Sequence, residues 1–449
     1  MSASTDTYGF ALSTGNKVAA EAYDTGARSY VAWRADAVGH LDAAIVADPD
    51  FPMPRLVKGW ILHSARAARF NPAVDALLAA AKPHLDDATA RERAVAEALR
   101  IAHGGNLQAG VSKLEAWVAE HPTDIVAHRM LQFELFWSGE STWMRDVVER
   151  AARAWNEDIP DFAQFQAVRA FSNEEGGDYE TAERVGRDAV AREPESPWGA
   201  HAVAHVLVMQ GRVDDGVAWL EGLCGNWGRA NQLAHHNWWH LCLFLLEQGK
   251  HERILELLDT KVRNPDSPLV QAMPDAPMDL QNVASLLMRL ELRGVDVGER
   301  WQTIADICAG RTTDHDNPFA SAHDAMVLAA VGRFEKVEEL LADMRGTDVA
   351  GVIGNTTRTV AVPLVEAMAA HRRKEYDRVV DLMWPIRRNL PQVGGSHAQR
   401  DIFYQMLIDA AMRARRKAQL AVLLDDVRSI GFKRVAERTL YRDAFAAMA

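Results

Sequence analysis

The chain has 449 residues, of which 48% are hydrophobic, and 50 lysines and arginines against 62 aspartates and glutamates give a net charge of −12. Nucleic acids and anionic membranes would repel such a protein, so neither is an expected partner. At about 100–200 residues per domain, this length corresponds to two to four domains, unless the chain is a repeat array that grows along one axis.

The N-terminal segment and the cysteines predict a cytoplasmic protein. Residues 1–14 are polar and lack the basic flank and the apolar stretch of a signal peptide. No window approaches the roughly 20 apolar residues that a membrane helix needs. The three cysteines have no CxxC spacing, so we expect neither a disulfide framework nor a thiolate zinc site.

The spacing of apolar residues and glycines predicts the fold. Apolar residues recur at intervals of three and four, which indicates an all-α chain. Turn glycines recur at intervals of 34 and 38 residues, close to the 34-residue tetratricopeptide period, at Gly105, Gly139, Gly177, Gly211 and Gly249. We predict one continuous right-handed α-solenoid of tetratricopeptide-like helix pairs over residues 1–449. Its repeats are clearest at 105–250, and the helix pairs of 251–449 are more divergent.

Five of the sixteen histidines fall within one 40-residue window, at His201, His205, His235, His236 and His240. His201 and His205 are four residues apart, as are His236 and His240, so each pair lies on one face of its helix. The two pairs are 35 residues apart, about one repeat. Because stacked repeats place equivalent helices side by side, we expect these four imidazoles to meet on one wall.

The sequence distance from each histidine to the next turn glycine predicts which surface of the repeat array the histidines line. His128, His201, His240 and His323 precede their turn glycines by 9 to 11 residues. That spacing places them on the first helices of successive pairs, which line the concave surface of tetratricopeptide arrays. A row of imidazoles inside a groove is the expected result.

Three interpretations of these histidines stay open. Imidazole suits zinc, copper, nickel and iron, so a divalent metal on the histidine cluster is one of them, with no individual residue assigned as a ligand. HAVAH and HNWWH have Ala202 and Asn237 where a zinc protease needs its glutamate, which excludes that enzyme class. The others are a metal-free pocket, in which histidine is an acid, a base or a hydrogen-bond donor, and ordinary packing.

Three further segments are expected to contribute to the wall, one of which is FASAHDAMVLAAVGR, where small residues flank His323 and allow close approach. Asp279, Ser285 and Arg289 fall on one predicted helix, with Ser285 and Arg289 on the same face; the alternative is an N-cap at Asp279 and a surface ion pair at Arg289. In GGSHAQRDIF, exposed backbone amides at the start of a helix could bind an anion, and the Arg400 guanidinium could form a bidentate pair of hydrogen bonds with it. A capped helix start without a ligand is the alternative there.

Tryptophans concentrate beside the histidines. Trp198 and Trp239 can wall a pocket, and packing between repeats is the alternative role. Trp238 and Trp239 are consecutive, so at least one of them must point away from the histidine face.

Several segments together resemble one family. They are HAVAHV, HHNWWHLCLFLLEQGKHERILELLD, DLQNVASLLMRLELRG, SAHDAMVLAAVGR and GGSHAQRDIF, in this order along most of the chain. This set looks like the tetratricopeptide repeat protein 38 family. The resemblance implies a helical-repeat protein of cytoplasmic type that curves around a central cavity. It implies no particular reaction.

The predicted function is small-molecule binding in a His-rich concave pocket, and whether the protein is an enzyme stays open. Metal-assisted or histidine acid/base hydrolysis or lyase chemistry is the candidate reaction, because no nucleotide fingerprint or thiol pair is present. The catalytic candidates are His201, His205, His236, His240, Asp279, His323 and His397. The substrate-binding candidates are Trp198, Trp239, Arg289, Arg400 and Asp401. The alternative is a non-catalytic scaffold that binds a peptide or protein in its groove.

Overall fold

The computed structural model describes residues 4–314, 316–349 and 351–448. Over these ranges the regular secondary structure is helical apart from one short antiparallel pairing of β1 (Ser4–Thr5) with β2 (Ala11–Leu12) and an isolated bridge between Arg34 and Ala230. The all-α prediction is therefore confirmed for the described residues. None of their helices combines the length and the apolar composition that crossing a bilayer requires.

The chain divides into two compact units. Unit 1 comprises the described residues up to 203 together with 226–233, and unit 2 comprises 204–225 and the described residues from 234 onward. The boundary falls inside one helix of the expected repeat series. A single continuous array over the whole chain stays a prediction.

Unit 1 is built from successive helices that pack as pairs, such as the first with the second and the ninth with the tenth. Its α-helices are α1 (Lys17–Val31), α2 (Ala37–Ala47), α3 (Met53–Ser64), α4 (Asn71–Ala81), α5 (Ala90–His103), α6 (Leu107–Glu120), α7 (Ile125–Trp137), α8 (Ser141–Ala151), α9 (Phe162–Glu175), α10 (Tyr179–Arg192) and the first half of α11 (Pro197–Gln210). Its short 3₁₀ helices are Ala68–Phe70, Lys82–His84 and Ala152–Ala154.

Unit 2 contains the rest of α11 and the helices that follow it. They are α12 (Val213–Leu223), α13 (Leu233–Glu247), α14 (His251–Leu257), α15 (Pro268–Ala272), α16 (Pro277–Glu291), α17 (Gln302–Ala309), α18 (Pro318–Ala330), α19 (Phe334–Gly346), α20 (Gly351–Thr356), α21 (Val362–Arg372), α22 (Tyr376–Ile386), α23 (His397–Arg413), α24 (Lys417–Ser429) and α25 (Thr439–Met448). Shorter helical segments are Cys224–Asn226, Leu258–Val262, Gly298–Trp301, Thr357–Ala361, Leu390–Val393 and Val435–Glu437.

Local sequence explains where the paired helices begin and end. Gly177 has a φ of 85°, a left-handed conformation that costs glycine nothing, and it closes the turn after α9. Asp178 then accepts a hydrogen bond from the Thr181 amide at 3.1 Å and caps α10. The turn predicted at Gly177 is therefore present, and the second helix of that pair starts two residues later.

The two helices of a pair differ in how much of their surface is buried. On α18, every residue from 318 to 329 is buried, polar side chains included. On its partner α19, burial is confined to Val337, Leu340, Leu341 and Met344, the narrow stripe of an amphipathic helix. The first helix of such a pair therefore removes its polar side chains from water, and those side chains must find partners inside the protein.

A tight helix contact in unit 2 provides a test of the packing. A Cβ added at Gly216 on α12 would collide with the ring of Phe244 on α13. We expect Gly216→Ala to lower the free energy of unfolding by about 1–3 kcal/mol, because overpacking forces the two helices apart. Urea denaturation monitored by circular dichroism measures this change.

Gly222→Ala is the matched control on the same helix. Gly222 is exposed, and no described heavy atom lies within 4 Å of its added Cβ. This variant should gain about 0.5–1 kcal/mol, because alanine favours the helix. Equal effects of the two substitutions would contradict the close approach of α12 and α13.

Candidate functional site

Three histidines meet in the interior of unit 2. His205 comes from α11, and His236 and His240 lie one turn apart on α13. All three side chains are at most 3% exposed. The ring centroids of His205 and His240 are 4.5 Å apart, and those of His236 and His240 are 4.7 Å apart. One ring nitrogen of each lies within 4.8 Å of the other two. We call these three residues the histidine centre.

His201, the remaining member of the two sequence pairs, lies in unit 1. It is four residues before His205 on α11, and its ring stacks on Trp198 at 4.7 Å and on Phe171 at 5.4 Å. Its expected place beside the other three histidines rests on helical spacing and stays a prediction.

Three side-chain hydrogen bonds join α13 to α16 beside the histidine centre. His235 donates from Nδ1 to Asp279 Oδ1 at 3.0 Å, His236 Nδ1 pairs with Asn282 Oδ1 at 2.7 Å, and Trp239 Nε1 donates to Ser285 Oγ at 3.0 Å. The α16 partners are spaced three residues apart and so follow one face of that helix. These bonds fix the orientation of α13, and with it the directions of its histidine rings.

The bond to Asn282 determines the tautomer of His236. An amide oxygen accepts, so the proton of the neutral ring lies on Nδ1, and Nε2 keeps its lone pair. Metal-binding histidines in general have this arrangement, with one nitrogen held by a second residue and the other pointing at the metal. Asn282 therefore prepares His236 to be a ligand or a hydrogen-bond acceptor.

Burial keeps two rings of the histidine centre, those of His236 and His240, uncharged. Loss of water lowers the pKa of His236 to about 3, although its bond to Asn282 opposes the shift. Burial also holds the pKa of His240 well below its usual value, and the neighbouring His205 and His236 lower it further. At neutral pH the rings of His236 and His240 are therefore neutral and offer lone pairs, not charges.

Trp239 and Trp238 point in different directions, as consecutive helical residues must. Trp239 is 1% exposed, and its ring stacks on His236 at 5.0 Å and meets the edge of His240 at 4.8 Å. Trp238 is partly exposed and lies beside Lys261. Trp239 therefore walls the histidine centre.

The N-cap and surface-pair interpretation of Asp279 and Arg289 is wrong. The helix α16 begins at Pro277, and Asp279 is buried in its first turn, where burial raises the pKa of its carboxyl. Arg289 is 1% exposed and donates to the carbonyl oxygens of Ser285 at 3.1 Å and of Ala398 at 2.9 Å. Burial lowers the pKa of Arg289 to about 10, so it stays a cation at neutral pH.

The remaining predicted residues of unit 2 have other contacts. The buried His323 donates from Nδ1 to the Phe319 carbonyl at 2.8 Å, and burial lowers its pKa to about 4. Asp401 accepts hydrogen bonds from Gln405, Arg438 and Tyr441. These contacts leave Asp401 as a structural acceptor inside the unit.

The start of α23 is capped. The Ser396 hydroxyl accepts from the Gln399 amide at 3.2 Å, and Gln399 Oε1 accepts from the Ser396 amide at 2.9 Å. His397 is the partly buried first residue of this helix, and the Arg400 guanidinium donates to the Gly395 carbonyl. The prediction of exposed amides is therefore wrong for Ser396 and Gln399. The alternative, a capped helix start, is what the structure shows there.

Two residues of this arrangement were absent from the predicted site, Asn282 and His235. The signal for Asn282 was present, since Asp279, Asn282 and Ser285 follow each other at intervals of three on one apolar helix. No family model matches the chain.

The lowered pKa of His236 predicts a loss of stability in acid. Between pH 6.5 and about 3 the unfolded chain takes up a proton at this position that the native protein does not, so stability falls as the pH decreases. The slope per such histidine is about 1.4 kcal/mol per pH unit. We expect the free energy of unfolding of His236→Gln, measured in urea from pH 7 to pH 4.5, to depend less steeply on pH than that of the wild type. The difference in slope should correspond to the uptake of about one proton fewer on unfolding.

The control is His40→Gln, at a half-exposed position on α2. It should leave the slope as in the wild type. An identical slope in the wild type and in His236→Gln would contradict a buried neutral imidazole at this position.

Proposed function

We propose that unit 2 binds a divalent metal ion of the zinc type through His205, His236 and His240, and that the metal holds a small anionic ligand at its open position. The observation that carries this proposal is the convergence of three buried ring nitrogens within 4.8 Å. Nitrogen ligands about 2.1 Å from a tetrahedral zinc lie about 3.4 Å apart, so side-chain shifts of about 1 Å complete the site. Asn282 supports it by fixing the His236 tautomer.

The charge balance of the site favours an anionic ligand. Three neutral imidazoles leave the two positive charges of the metal uncompensated in a buried position. The Arg289 cation adds to them, since its charge further lowers the pKa of His240. A carboxylate, a hydroxide or another small anion in the open position would restore the balance.

The same pKa values favour a metal over acid/base catalysis. A general acid or base works best with a pKa near the working pH. The pKa of His236 is about 3, and the pKa of His240 is well below the usual value of a histidine. A neutral lone pair is what a metal ligand requires. A divalent ion with three imidazole ligands and one open position supplies Lewis-acid activation, which suits hydrolysis or lyase chemistry.

We also propose that the chain is a member of the tetratricopeptide repeat protein 38 family. In this proposal it is a cytoplasmic right-handed solenoid that curves around a central cavity. The helix pairs and the turn glycines at intervals of 34 and 38 residues support it. The alternative function is a scaffold for a peptide or protein. Such grooves present lysine, arginine and asparagine to a partner, whereas the polar groups at this centre are buried histidines.

Metal analysis tests the proposal directly. The full-length protein, saturated with Zn²⁺ and freed of excess ion, should retain about one equivalent by plasma mass spectrometry. Its melting temperature should fall on chelation. Replacing one of three ligands in His240→Gln should reduce the retained metal to about a tenth or less, and Asn282→Ala should weaken zinc affinity by about 10- to 100-fold.

His323→Gln is the matched control, because His323 is a buried histidine of the same unit whose Nδ1 is committed to a backbone carbonyl. It should retain zinc like the wild type. Negligible metal in the wild type, or equal retention in His240→Gln, would contradict the metal centre.

A further inference from the structure

Unit 1 contains a buried arginine that has no acidic partner among the described residues. Arg129 on α7 is 2% exposed, and its Nη1 donates to Gln132 Oε1 at a long 3.4 Å. Its Nε is buried with no acceptor among residues 4–314, 316–349 and 351–448, and no carboxylate in those ranges forms an ion pair with it. A buried cation of this kind is costly unless something compensates its charge.

Aromatic rings surround this guanidinium. Its Cζ lies 3.6 Å from the centroid of Trp33, 4.3 Å from Phe133, 5.0 Å from Trp198 and 5.8 Å from Tyr30. Ring faces attract a cation, but they accept no conventional hydrogen bond from it. We call these five residues the Arg129 cage.

The Arg129 cage also holds further hydrogen-bond donors with no acceptor in the ranges that the structure describes. The Tyr30 hydroxyl, the Trp33 indole and the Trp198 indole are each buried and find no acceptor in the described part of the chain. Burial raises the pKa of Tyr30 to about 12, so its hydroxyl keeps its proton at neutral pH. Unsatisfied buried donors are rare in folded proteins, and four residues with such donors in contact with one another point to an absent acceptor.

The backbone at Trp33 is strained. This residue has a φ of 58°, in the left-handed region that a bulky side chain seldom adopts. Two hydrogen bonds to residues 229–231 hold the segment in place, from Ala35 N to Arg229 O and from Asn231 N to Trp33 O. Strain of this kind persists where the surrounding structure enforces it, commonly at a binding site. Here it places the indole face against Arg129.

We propose that the Arg129 cage binds the carboxylate of a small organic acid, with Arg129 as its charge partner and Tyr30, Trp33 and Trp198 as further donors. The charge of the cage favours a monoanion. Arg129 is its one cation, and Glu134 on the same helix is already bonded to Arg66 and Ser64. A dianion such as hydrogen phosphate would leave a net negative charge in the interior. The edge of a guanidinium matches a carboxylate in shape, and the flat rings suit a planar substituent.

Calorimetric titration of the full-length protein with acetate, benzoate and sulfate, at matched ionic strength and pH 7.5, tests this site. We expect saturable binding of a carboxylate and none of sulfate. Tyr30→Phe should weaken carboxylate binding about three- to tenfold, and Arg129→Gln should weaken it by at least about thirtyfold. Without carboxylate, Tyr30→Phe should melt at the wild-type temperature or above it, because the hydroxyl it removes finds no acceptor within the described residues.

Two control variants make the test specific. Tyr404→Phe removes a hydroxyl that donates to the Arg387 carbonyl at 2.7 Å, so it should lower the melting temperature and leave carboxylate affinity unchanged. His240→Gln removes a ligand of the proposed metal centre in unit 2 and should retain the carboxylate response, which separates the two proposals. Failure of both carboxylates to bind, binding equal to the wild type in Tyr30→Phe and Arg129→Gln, or tighter binding of sulfate would overturn the proposal.

Discussion

The near-complete burial of the first helix in a pair is the constraint on which both sites depend. Helices such as α16, α18 and α23 are buried over most of their surface, so their polar side chains lose contact with water. Each polar group must then be neutral, bonded to a neighbour or matched by a ligand. In the histidine centre, burial keeps the rings of His236 and His240 uncharged, and His236 is also bonded to Asn282. Arg129, in contrast, forms one long hydrogen bond, to Gln132, and its charge has no acidic partner within the described residues.

Much of the helical framework could be predicted from the sequence, because it depends on local signals. The turn at Gly177 needs a left-handed residue and Asp178 is a strong cap, and both properties belong to the residues themselves. The i,i+4 spacing of His236 and His240 likewise guarantees a shared face on any helix. Local spacing is therefore sufficient to predict that His236 and His240 lie together.

The partners of these residues could not be predicted in the same way. Whether His236 meets Asn282 or another residue of α16 depends on the axial register of two helices whose paired residues are 46 positions apart. For Arg289 the sequence favours a surface position equally, because arginine is rarely buried and no pattern along α16 distinguishes a buried arginine from an exposed one. The Arg129 cage draws on α1, the turn after it, α7 and α11, and its rings come together through tertiary packing alone.

The bonds between α13 and α16 have a consequence for the order of folding. Their partners are separated by 44 to 46 residues, whereas the two helices of a pair are neighbours in sequence. Contacts of short sequence separation close first, because long loops cost more entropy. During synthesis, His205, His236 and His240 emerge from the ribosome before Asn282 does. The tautomer of His236 is therefore set only after α16 has docked, so a metal that arrives earlier meets histidines whose ring orientation is not yet fixed.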